Sequence, residues 1–447
     1  MNQFRIQTSS PDNPEIRNIL GGIFQHALIA ADPQEAVSRY LRHQEASLFQ
    51  PGHVEGGKLV LISLGKAARA MAAAACNILG EQVHSGIVVE KNTDNSIHLP
   101  DTIAVLQGGH PIPNVCSQEA GGRIAELVRT SAPDAEFLVL ISGGGSSLVT
   151  LLPEGIDIAD YQALNRLMLG SHLSIAQINT IRKHVDLFKG GGLLRLIGER
   201  SSRSLILSDV VSGGLGTVAS GPTLPDGTTF GMAVDILRQS GIWNGLPESI
   251  TAHLRAGTAG ELLETLKPDD PLCKFSRAVE VGSLKQSLTA AVDAAKELGW
   301  NASICEPALT GRVEDAAHRI LRDLAEGYHR GEKQVWIYGG ETTVNPGNAS
   351  GRGGRNSHLA LLLSRELVRF PGVVVCTFAT DGEDGNSSAC GAVVTPDTFP
   401  RAAEHGMDPA DYLNRFDSHT FFHKLGDTIE IGSTGTNVND ITVVLKN

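Results

Sequence analysis

Glycine-rich segments that also carry charged or hydroxyl side chains are the part of this sequence best suited to chemistry. Glycine lets backbone N–H groups approach an anion closely, and loops that open helices stabilise negative charge. Because Lys, Arg, Asp and Asn are interleaved with the glycines, the pattern predicts a cleft for a phosphorylated ligand. The segments are residues 141–148, 208–223, 351–357, 380–385 and 434–441.

Lys66 is the first candidate catalytic residue. It follows Gly65 at the end of a predicted strand (58–64) and precedes a predicted alanine-rich helix (67–79). A lysine there can meet a phosphoryl group as a positive point charge. The segment is not a Walker A loop, because Ala67 stands where Ser or Thr would bind magnesium. The alternative is an ordinary lysine at a helix start, slightly against the helix dipole.

A triple-glycine turn with hydroxyl side chains follows the predicted strand 136–142. Three glycines and then two serines suit a phosphate cradle, and a simple tight turn is the alternative. The predicted phosphate-binding or substrate-binding residues of this turn are Ser142, Gly143, Gly144, Gly145, Ser146 and Ser147.

A second binding segment, residues 179–189, combines polar and basic residues with a following glycine break. Such residues could clamp a carboxylate or a phosphate, and a solvated helix face is the alternative. The predicted substrate-binding residues are Asn179, Arg182, Lys183 and Lys189.

Arg355 is the second candidate catalytic residue, with Asn356 beside it as a binding residue. Both follow a glycine pair and precede the predicted helix 359–369. An arginine at a helix N-terminus is electrostatically unfavourable unless an anion is also there, which predicts an anionic ligand. An exposed arginine without a ligand is the alternative.

Three aspartates are candidates for binding magnesium. Asp209 follows the predicted strand 203–207 and could organise magnesium or the attacking hydroxyl, so it is also a candidate base. Asp381 and Asp384 follow the buried strand 372–379, and their spacing fails the EF-hand pattern. A solvated acidic turn is the alternative for that pair.

For His110, in a constrained Gly-Pro loop, packing and catalysis remain equally open.

Residues 214–219 (GLGTVA) match the dinucleotide-binding fingerprint and favour a dehydrogenase. Gly221 and Pro222 fall where the required helix should continue, and a single short glycine match is a weak signal. The segment therefore counts little for an oxidoreductase.

Strands that alternate with helices must position these residues. Helical periodicity at 14–49, 117–130, 159–173, 175–184, 283–298 and 314–330, with short apolar runs at 85–90, 103–107, 301–306, 334–338, 428–431 and 441–445, predicts an α/β fold. Ligands of such sheets bind beyond the carboxyl ends of the strands, where the loops after residues 64, 141, 207, 338 and 379 lie. The length of 447 residues and the Pro-rich turns in 224–275 predict two domains, 1–250 and 275–447.

The composition excludes several other classes of protein. A formal charge of −12 argues against a nucleic-acid-binding surface, and no apolar run reaches the length of a membrane span. Six scattered cysteines without a CxxC pair support neither a disulfide framework nor a structural zinc site. The polar start lacks a signal-peptide core, so we expect a cytoplasmic protein, for which a homodimer stays open.

Taken together, the segments resemble the glycerate 2-kinase family, also called the MOFRL family and formerly described as hydroxypyruvate reductase. The matching stretches, in order along residues 63–441, are SLGKAA, GGHPIP, ISGGGSSL, RKHVDLFKGGGL, LSDVVSG, SGPT, GGETTV, GRGGRN, TDGEDG and TGTNVNDI. The resemblance implies two three-layer α/β domains of different topology, the larger N-terminal one Rossmann-like, with the active site in the cleft between them.

The resemblance also implies an activity, namely transfer of a phosphoryl group from ATP to the 2-hydroxyl of D-glycerate. It points to Lys66 and Arg355 as catalytic. The family's usual GGRNQE reads GGRNSH here, with Ser357 and His358, so a related hydroxy acid stays open as the acceptor. An NAD(P)-dependent hydroxypyruvate reductase and a non-catalytic sensor of sugar acids or nucleotides are the alternatives.

Overall fold

The structure is a computed structural model and describes residues 14–44, 59–91, 97–211, 214–329, 333–347 and 349–447. The chain forms two compact units. The first comprises Pro33–Val281. The second joins the helix that precedes Pro33 to the chain from Gly282 to Asn447. The predicted domain ranges 1–250 and 275–447 stay a prediction and differ from these units mainly at the start of the chain.

The strands of the described residues fall into two sheets. The first sheet contains β1 (Leu59–Leu64), β2 (Val83–Glu90), β3 (Ile103–Gln107), β4 (Glu136–Ile141), β5 (Ser202–Leu207) and β6 (Ser276–Gly282). The second contains β7 (Asn301–Ile304), β8 (Leu309–Arg312), β9 (Gln334–Thr343), β10 (Val373–Ala379), β11 (Gly391–Val394), β12 (Thr428–Ile429) and β13 (Asp440–Lys446).

Helices occupy most of the connections between these strands. Before β6 they are α1 (Pro14–Ala31), α2 (Pro33–Gln44), α3 (Ala68–Leu79), α4 (Val115–Thr130), α5 (Gly145–Leu148), α6 (Ile158–Leu169), α7 (Ile175–Lys183), α8 (Gly192–Ile197), α9 (Phe230–Gln239) and α10 (Glu248–Thr258). After β6 they are α11 (Leu284–Glu297), α12 (Val313–Gly327), α13 (Arg355–Ser364), α14 (Thr398–Glu404), α15 (Pro409–Asn414) and α16 (Ser418–Leu425). No helix of the described ranges is long and apolar enough to cross a bilayer.

The first sheet has the strand order β3-β2-β1-β4-β5-β6, and its pairs from β3 to β5 are parallel. Every residue of β1 is buried, as expected of a strand covered on both faces. Val60, Ile62 and Leu64 of β1 pack in one apolar cluster with residues of α4. Helix α3 also contacts β1. The prediction of a parallel α/β sheet is therefore confirmed for this unit.

The second sheet is mixed and has the order β12-β11-β10-β13-β9-β7, with β8 paired to β9. β13 runs antiparallel to both β9 and β10, so the carboxyl ends of those two strands lie at one edge. Helices α12 and α13 pack their apolar residues on this sheet around Ile320, Leu359 and Val375. The fold class predicted from the sequence, two α/β domains of different topology, is confirmed.

Most predicted elements lie within a few residues of their observed bounds, and the exceptions have physical causes. The predicted region 14–49 holds two helices, α1 and α2, and its end lies outside the described residues, as do Lys58 and Arg330 at the ends of other predicted elements. β9 continues five residues beyond the predicted 334–338, because β8 pairs with that extension. α13 begins at Arg355 instead of 359, where a buried carboxylate caps the helix.

Candidate active site

The carboxyl ends of β1, β4 and β5, which are neighbours in the first sheet, bring the first predicted residues together. The backbone N–H of Lys66 donates to the Gly143 carbonyl at 2.9 Å. The N–H of Ala67 donates to Ser142 Oγ at 3.0 Å. These bonds fix the turn that carries Lys66 against the triple-glycine turn. Three of the five loops that the sequence placed at the carboxyl ends of strands therefore lie together, and their binding of a ligand stays a prediction.

Glycine is required at two of these contacts. A Cβ on Gly65, whose φ is +119°, would lie 2.2 Å from Ser142 Oγ. A Cβ on Gly143 would lie 1.9 Å from Asp209 Oδ2. Only residues without a side chain let the three loops approach this closely. The glycines of this segment therefore set the distance between the backbone of the turn and the Asp209 carboxylate.

The exposed side chain of Lys66 lies beside Gly144 and His110. A Cβ placed on Gly144 would be 3.2 Å from Lys66 Cγ and 3.4 Å from His110 Nε2. Lys66, His110, Gly143, Gly144 and Asp209 are called the lysine cluster below. It combines a cation, a carboxylate, an imidazole and a glycine turn with a left-handed residue, Gly144, at φ +83°.

The sequence left His110 open between packing and catalysis, and the structure puts it in the lysine cluster. Burial lowers the pKa of His110, and Lys66, Lys91 and Arg182 lower it further. The imidazole is therefore neutral near pH 7 and can accept a proton. The Gly- and Pro-rich segment 108–114 predicted a constrained loop around His110. It did not show which residues the imidazole would contact.

A chain of polar side chains extends from the triple-glycine turn. Ser146 Oγ lies 2.9 Å from Ser220 Oγ, and Ser220 donates to Asn179 Oδ1 at 3.0 Å. Ser220 and the preceding Ala219 have φ of +60° and +50°. Left-handed backbone is unfavourable for residues with a side chain, and such strain clusters at functional sites. Asn179 and Ser146 therefore stay candidates for contact with a ligand.

Arg182 uses the Nε–H of its guanidinium for a hydrogen bond within the protein, and its Nη groups can bind other acceptors. Its Nε donates to Asn165 Oδ1 at 2.9 Å, which orients the side chain. Its charge contributes to the lowered pKa of His110. Arg182 therefore stays a candidate for binding an anion near the lysine cluster.

Two lysines of the same segment have structural partners that oppose their predicted role in binding substrate. Lys189 is fully buried, pairs with Asp186 and donates to the Val149 carbonyl at 3.1 Å. Lys183 pairs with the buried Asp226 at 3.1 Å. A substrate anion would have to displace these buried carboxylates, which is costly because the partner would be left uncompensated.

Two serines of the glycine turn also have internal partners. Ser142 is buried and accepts the N–H of Ala67, while the Ser147 hydroxyl donates to the Gly144 carbonyl at 3.2 Å. Gly145 faces Leu64, since a Cβ there would lie 2.5 Å from Leu64 Cδ1. These residues shape the turn, and their predicted contact with phosphate finds no support in the fold.

Arg355 lies at the first residue of α13 and is held by two carboxylates. Its Nε and Nη2 donate to Asp440 Oδ2 and Oδ1 at 2.5 and 3.1 Å. Its Nη1 lies 3.1 Å from Glu341 Oε1. Arg355, Glu341 and Asp440 are called the arginine cluster below. The two carboxylates supply the negative charge that the sequence argument sought from a ligand.

Burial and charge shift the titration of the arginine cluster. Burial raises the pKa of Asp440 to about 6, although Arg355 acts in the opposite direction. Burial opposes the charge of Arg355, but Asp440 and Glu341 outweigh it and raise its pKa. Arg355 is thus a cation at every accessible pH. Asn356 is buried next to it.

Asp384 caps α13, which opposes its predicted role as a magnesium ligand. Its Oδ1 accepts the N–H of Asn356 at 2.9 Å, and its Oδ2 accepts the N–H groups of Gly354 and Ser357 at 3.1 and 2.8 Å. The Ser357 hydroxyl donates to the same oxygen at 2.6 Å. The carboxylate is buried, and its lone pairs are engaged with the helix terminus, which leaves little capacity for a cation.

Asp381 lies in a separate polar network that joins two of the glycine segments. Its oxygens accept the N–H of Glu383 at 3.1 Å and Asn437 Nδ2 at 3.4 Å. Among the described residues, no group of three or more His, Cys, Asp or Glu side chains could hold a metal ion. A magnesium ion at Asp209 or Asp381 would need phosphate oxygens and water for its other ligands.

The fingerprint-like segment 214–219 does not open a helix. Leu215–Ser220 forms 3₁₀ turns, and Ala219, Ser220 and Gly221 are consecutive left-handed residues. Dinucleotide recognition needs a glycine turn that leads directly into an α-helix whose N-terminus binds the pyrophosphate. The geometry agrees with the low weight that the sequence gave to an oxidoreductase.

Two families match the chain. "Domain of unknown function (DUF4147)" covers residues 19–255, and "MOFRL family" covers residues 334–440. A curated protein of Pyrococcus horikoshii named Glycerate 2-kinase is 35% identical to this chain over 96% of it and 97% of its own length. This chain belongs to the glycerate 2-kinase family.

Other members of the glycerate 2-kinase family are also similar to this chain along most of its length. The D-glycerate 2-kinase of Thermotoga maritima is 33% identical over 87% of this chain and 90% of its own length. The crystal structure of the glycerate kinase from that organism matches with a TM-score of 0.85 at 32% identity, covering 97% of this chain and 100% of that one. A relative from Agrobacterium vitis, 36% identical over 96% of this chain and 94% of its own length, has the provisional name hydroxypyruvate reductase.

Within this glycerate 2-kinase family member, the sequence left His110 open and missed two residues of the arginine cluster, Glu341 and Asp440. Both stand in segments quoted above for the family resemblance, GGETTV and TGTNVNDI. Neither periodicity nor charge indicated that their carboxylates converge on Arg355. Only the antiparallel pairing of β13 with β9 and β10 brings them there.

Proposed function

We propose that this protein is a D-glycerate 2-kinase, which transfers the γ-phosphoryl group of ATP to the 2-hydroxyl of D-glycerate. The observation that carries the proposal is the similarity to glycerate 2-kinases along nearly the whole chain. The lysine and arginine clusters support it, because phosphoryl transfer asks a protein mainly for positioning and for stabilisation of negative charge.

Lys66 is the residue that we assign to the transferring phosphoryl group. Its side chain is exposed, while its backbone is fixed to Gly143. A compact cation at the edge of a parallel sheet, beside a left-handed glycine, suits an oxygen of phosphate. We assign the same kind of role to Arg355, whose guanidinium fork matches the geometry of phosphate or carboxylate.

Asp209 is the residue that we assign to the attacking hydroxyl. A carboxylate within reach of the substrate hydroxyl can accept its proton, and the close approach to Gly143 fixes where this carboxylate lies. His110 is the second candidate, since its lowered pKa leaves a neutral imidazole beside Lys66. Arg182 and Asn179 are assigned to the substrate carboxylate or to phosphate.

Magnesium would enter with the nucleotide. The ion is normally bound through one or two carboxylates together with substrate phosphates and water, so a protein cage is not needed. Asp209 and Asp381 are the carboxylates that could take part, and Asp384 is not, because it caps α13. When bound, the ion would neutralise charge on the phosphates.

Product identification tests the proposal directly. Purified protein, ATP, magnesium and D-glycerate should give 2-phosphoglycerate, recognised by phosphorus NMR. Hydroxypyruvate and NADH in a parallel cuvette test the reductase alternative, and a panel of other hydroxy acids tests the acceptor. NADH oxidation without a phosphorylated product would overturn the kinase, and silence in all arms would favour a sensor.

Substitution of the two cations tests their assignment. Lys66→Ala and Arg355→Ala should each lower kcat/KM by about 10²–10³-fold with an intact fold, as loss of a transition-state contact does. Lys285→Ala, on the exposed side of α11, and Arg369→Ala, at an exposed ion pair, are the controls and should leave kcat/KM unchanged. Turnover near the wild-type level in either cluster variant would remove that residue from the mechanism.

A further inference from the structure

We propose that the two carboxylates of the arginine cluster have different tasks: Asp440 is a fixed anchor that positions Arg355, and Glu341 is an exchangeable counter-ion that gives way when an anionic substrate binds. The proposal rests on the proposed kinase function and adds two positioning residues to it. Both act through Arg355 and not on the reacting atoms.

The sheet fixes the Asp440 carboxylate. Asp440 is the first residue of β13, and its backbone is in register with Gly340 of β9 on one side and Ala379 of β10 on the other. A residue between two paired strands has little freedom in its backbone. The next residue after Gly340 is Glu341, so the register also brings the second carboxylate to this edge.

The contacts of the two carboxylates with Arg355 differ in kind. Asp440 takes a side-on pair of hydrogen bonds from Nε and Nη2, which restrains both the position and the plane of the guanidinium. Glu341 contacts only Nη1, at 3.1 Å. The second N–H of Nη2 and the N–H groups of Nη1 are left for other acceptors, and Glu341 occupies part of that space.

Exposure separates the two carboxylates as well. The Asp440 side chain is 10% exposed and the Glu341 side chain is 46% exposed. An ion pair at a half-exposed side chain contributes little, because water competes for both partners. Removing a buried partner instead leaves the other charge uncompensated. The free energy of exchange therefore favours release of Glu341 and retention of Asp440.

The charge of the cluster gives a reason for the exchange. One arginine and two carboxylates sum to a single negative charge, which repels an incoming phosphate or carboxylate. When Glu341 gives way, the half-exposed side of the guanidinium can take two oxygens of the substrate. The anion is either a phosphoryl group of ATP or the carboxylate of the acceptor, and the experiment separates these.

Substitution of the anchor tests the first task. Asp440→Asn should lower kcat by about 10²-fold, the cost of misplacing a reacting contact, with a much smaller change in either KM. Asp440→Glu should recover part of the rate. In an Arg355→Ala background, Asp440→Asn should cost nothing further. An equal loss in both backgrounds would overturn the anchor, since Asp440 would then act without Arg355.

The pH profile gives a readout that a purely structural role would not move. Arg355 from α13 and Asp384 from the loop after β10 act on the charge of Asp440, and Glu341 from β9 shares Arg355 with it. Protonation of Asp440 removes the charge that holds Arg355, so wild-type kcat should fall as the pH drops below about 6. Asp440→Asn should abolish this acid limb. A limb that persists unchanged in Asp440→Asn would contradict the anchor.

Substitution of the counter-ion tests the second task. Glu341→Gln should lower KM roughly two- to fivefold for one substrate, the range expected from an exposed ion pair, and leave kcat unchanged. A lower KM for ATP identifies a phosphoryl group as the anion, and a lower KM for the acceptor identifies its carboxylate. A KM that is unchanged or higher for both substrates would overturn the exchange.

Two controls and one activity-independent measurement complete the test. Asp427→Asn removes a buried partner of Arg401, and Glu366→Gln removes an exposed partner of Arg369, so each matches one variant without touching Arg355. Neither should reproduce the effects above. In NMR spectra, one of the two substrates, ATP or D-glycerate, should shift the Arg355 Nη signals of the wild type while its Nε–H stays protected from exchange, and Asp440→Asn should lose that protection. A protected Nε–H in Asp440→Asn would contradict the anchor even if the wild type forms no phosphorylated product.

Discussion

Asp209 can lie against the triple-glycine turn only because residue 143 has no side chain. The contact is too close for any Cβ, since a methyl group there would come 1.9 Å from Asp209 Oδ2. Gly143 also accepts the N–H of Lys66 through its carbonyl. One small residue thus fixes the relative positions of the candidate base and the candidate cation.

Gly143→Ala tests this coupling at the residue scale. We expect kcat to fall by about 10²-fold, because the added methyl group displaces the Asp209 carboxylate by an ångström or more. The free energy of unfolding should change much less than kcat. Steady-state kinetics and a urea titration of the same preparation measure both.

Gly122→Ala is the matched control for Gly143→Ala. Gly122 lies within α4, and a Cβ there meets nothing within 4 Å. Alanine should leave kcat unchanged and raise stability by roughly 0.5–1 kcal/mol, since it has the higher helix propensity. If Gly143→Ala retains wild-type kcat, Asp209 is not held by this contact in the working enzyme.

Charged residues illustrate how far a sequence can predict a site. Lys66, Lys183 and Lys189 all stand near glycine breaks, so their types and spacing look alike. Lys189 pairs with Asp186, three residues before it, and Lys183 pairs with Asp226, which lies 43 residues further along the chain. Arg355 was predicted from its misfit with the helix dipole, but Asp440 and Glu341 already relieve that misfit. The spacing of residues in the sequence therefore shows where an unusual charge stands, but it does not show which residue forms an ion pair with it.

At the scale of elements, α13 depends on a carboxylate that lies almost thirty residues away in the sequence. Asp384 accepts the N–H groups of Gly354, Asn356 and Ser357, which the first turn of the helix cannot satisfy itself. The same turn carries Arg355. The loop after β10 therefore determines where α13 begins and, with it, the position of the candidate catalytic arginine.

Asp384→Ala tests the capping role against the predicted magnesium role. The loss of a buried cap should lower the free energy of unfolding by about 1–3 kcal/mol, and kcat should fall with it because Arg355 moves. The magnesium concentration for half-maximal activity should stay unchanged. Thermal unfolding and a magnesium titration of the kinase rate are the measurements.

Asp157→Ala provides the comparison for Asp384→Ala. Asp157 is an exposed cap of α6 and accepts the N–H of Asp160 at 2.8 Å. Its loss should lower stability by about 1 kcal/mol and leave kcat unchanged. A marked rise in the magnesium requirement of Asp384→Ala would restore Asp384 as a metal ligand.

Elements with strong periodicity could be predicted from the sequence, and those defined by pairing could not. The apolar runs that became β1, β4, β5 and β10 are buried on both faces, and the glycine breaks mark where they end. β8 has mainly polar exposed residues and exists because it pairs with β9. The start of α13 depends on Asp384, which no local window contains.

At the scale of the whole molecule, helix α1 belongs to the same compact unit as the C-terminal part of the chain. α1 packs on α11, and the Ser287 hydroxyl donates to the Ala27 carbonyl at 2.8 Å. The periodicity of α1 showed that one face is buried but not which sheet buries it. For this reason the sequence assigned residues 14–32 to the N-terminal domain, whereas they are compact with the chain from Gly282 onward.

Phe24→Ala tests where α1 belongs. The Phe24 ring is buried, and its centroid lies 4.2 Å from that of Phe378 in β10. Truncating a buried phenylalanine costs about 3–5 kcal/mol, because the cavity it leaves collapses only in part. This loss should appear as faster hydrogen exchange in peptides from β10 and β13, measured by mass spectrometry, while peptides from β1 and β4 keep their protection.

Phe137→Ala is the reciprocal variant and completes the argument. Phe137 is a buried residue of β4, packed with Val139 and Ile206 in the core of the first sheet. Its truncation should expose β1 and β4 and spare β10 and β13. If Phe24→Ala instead loosens β1 and β4 first, α1 stabilises the unit that follows it in sequence, and the assignment of α1 to the second sheet is wrong. The expected result is that each variant loosens the strands of one sheet and spares those of the other. That result requires each sheet to have its own core, with α1 in the core of the second sheet.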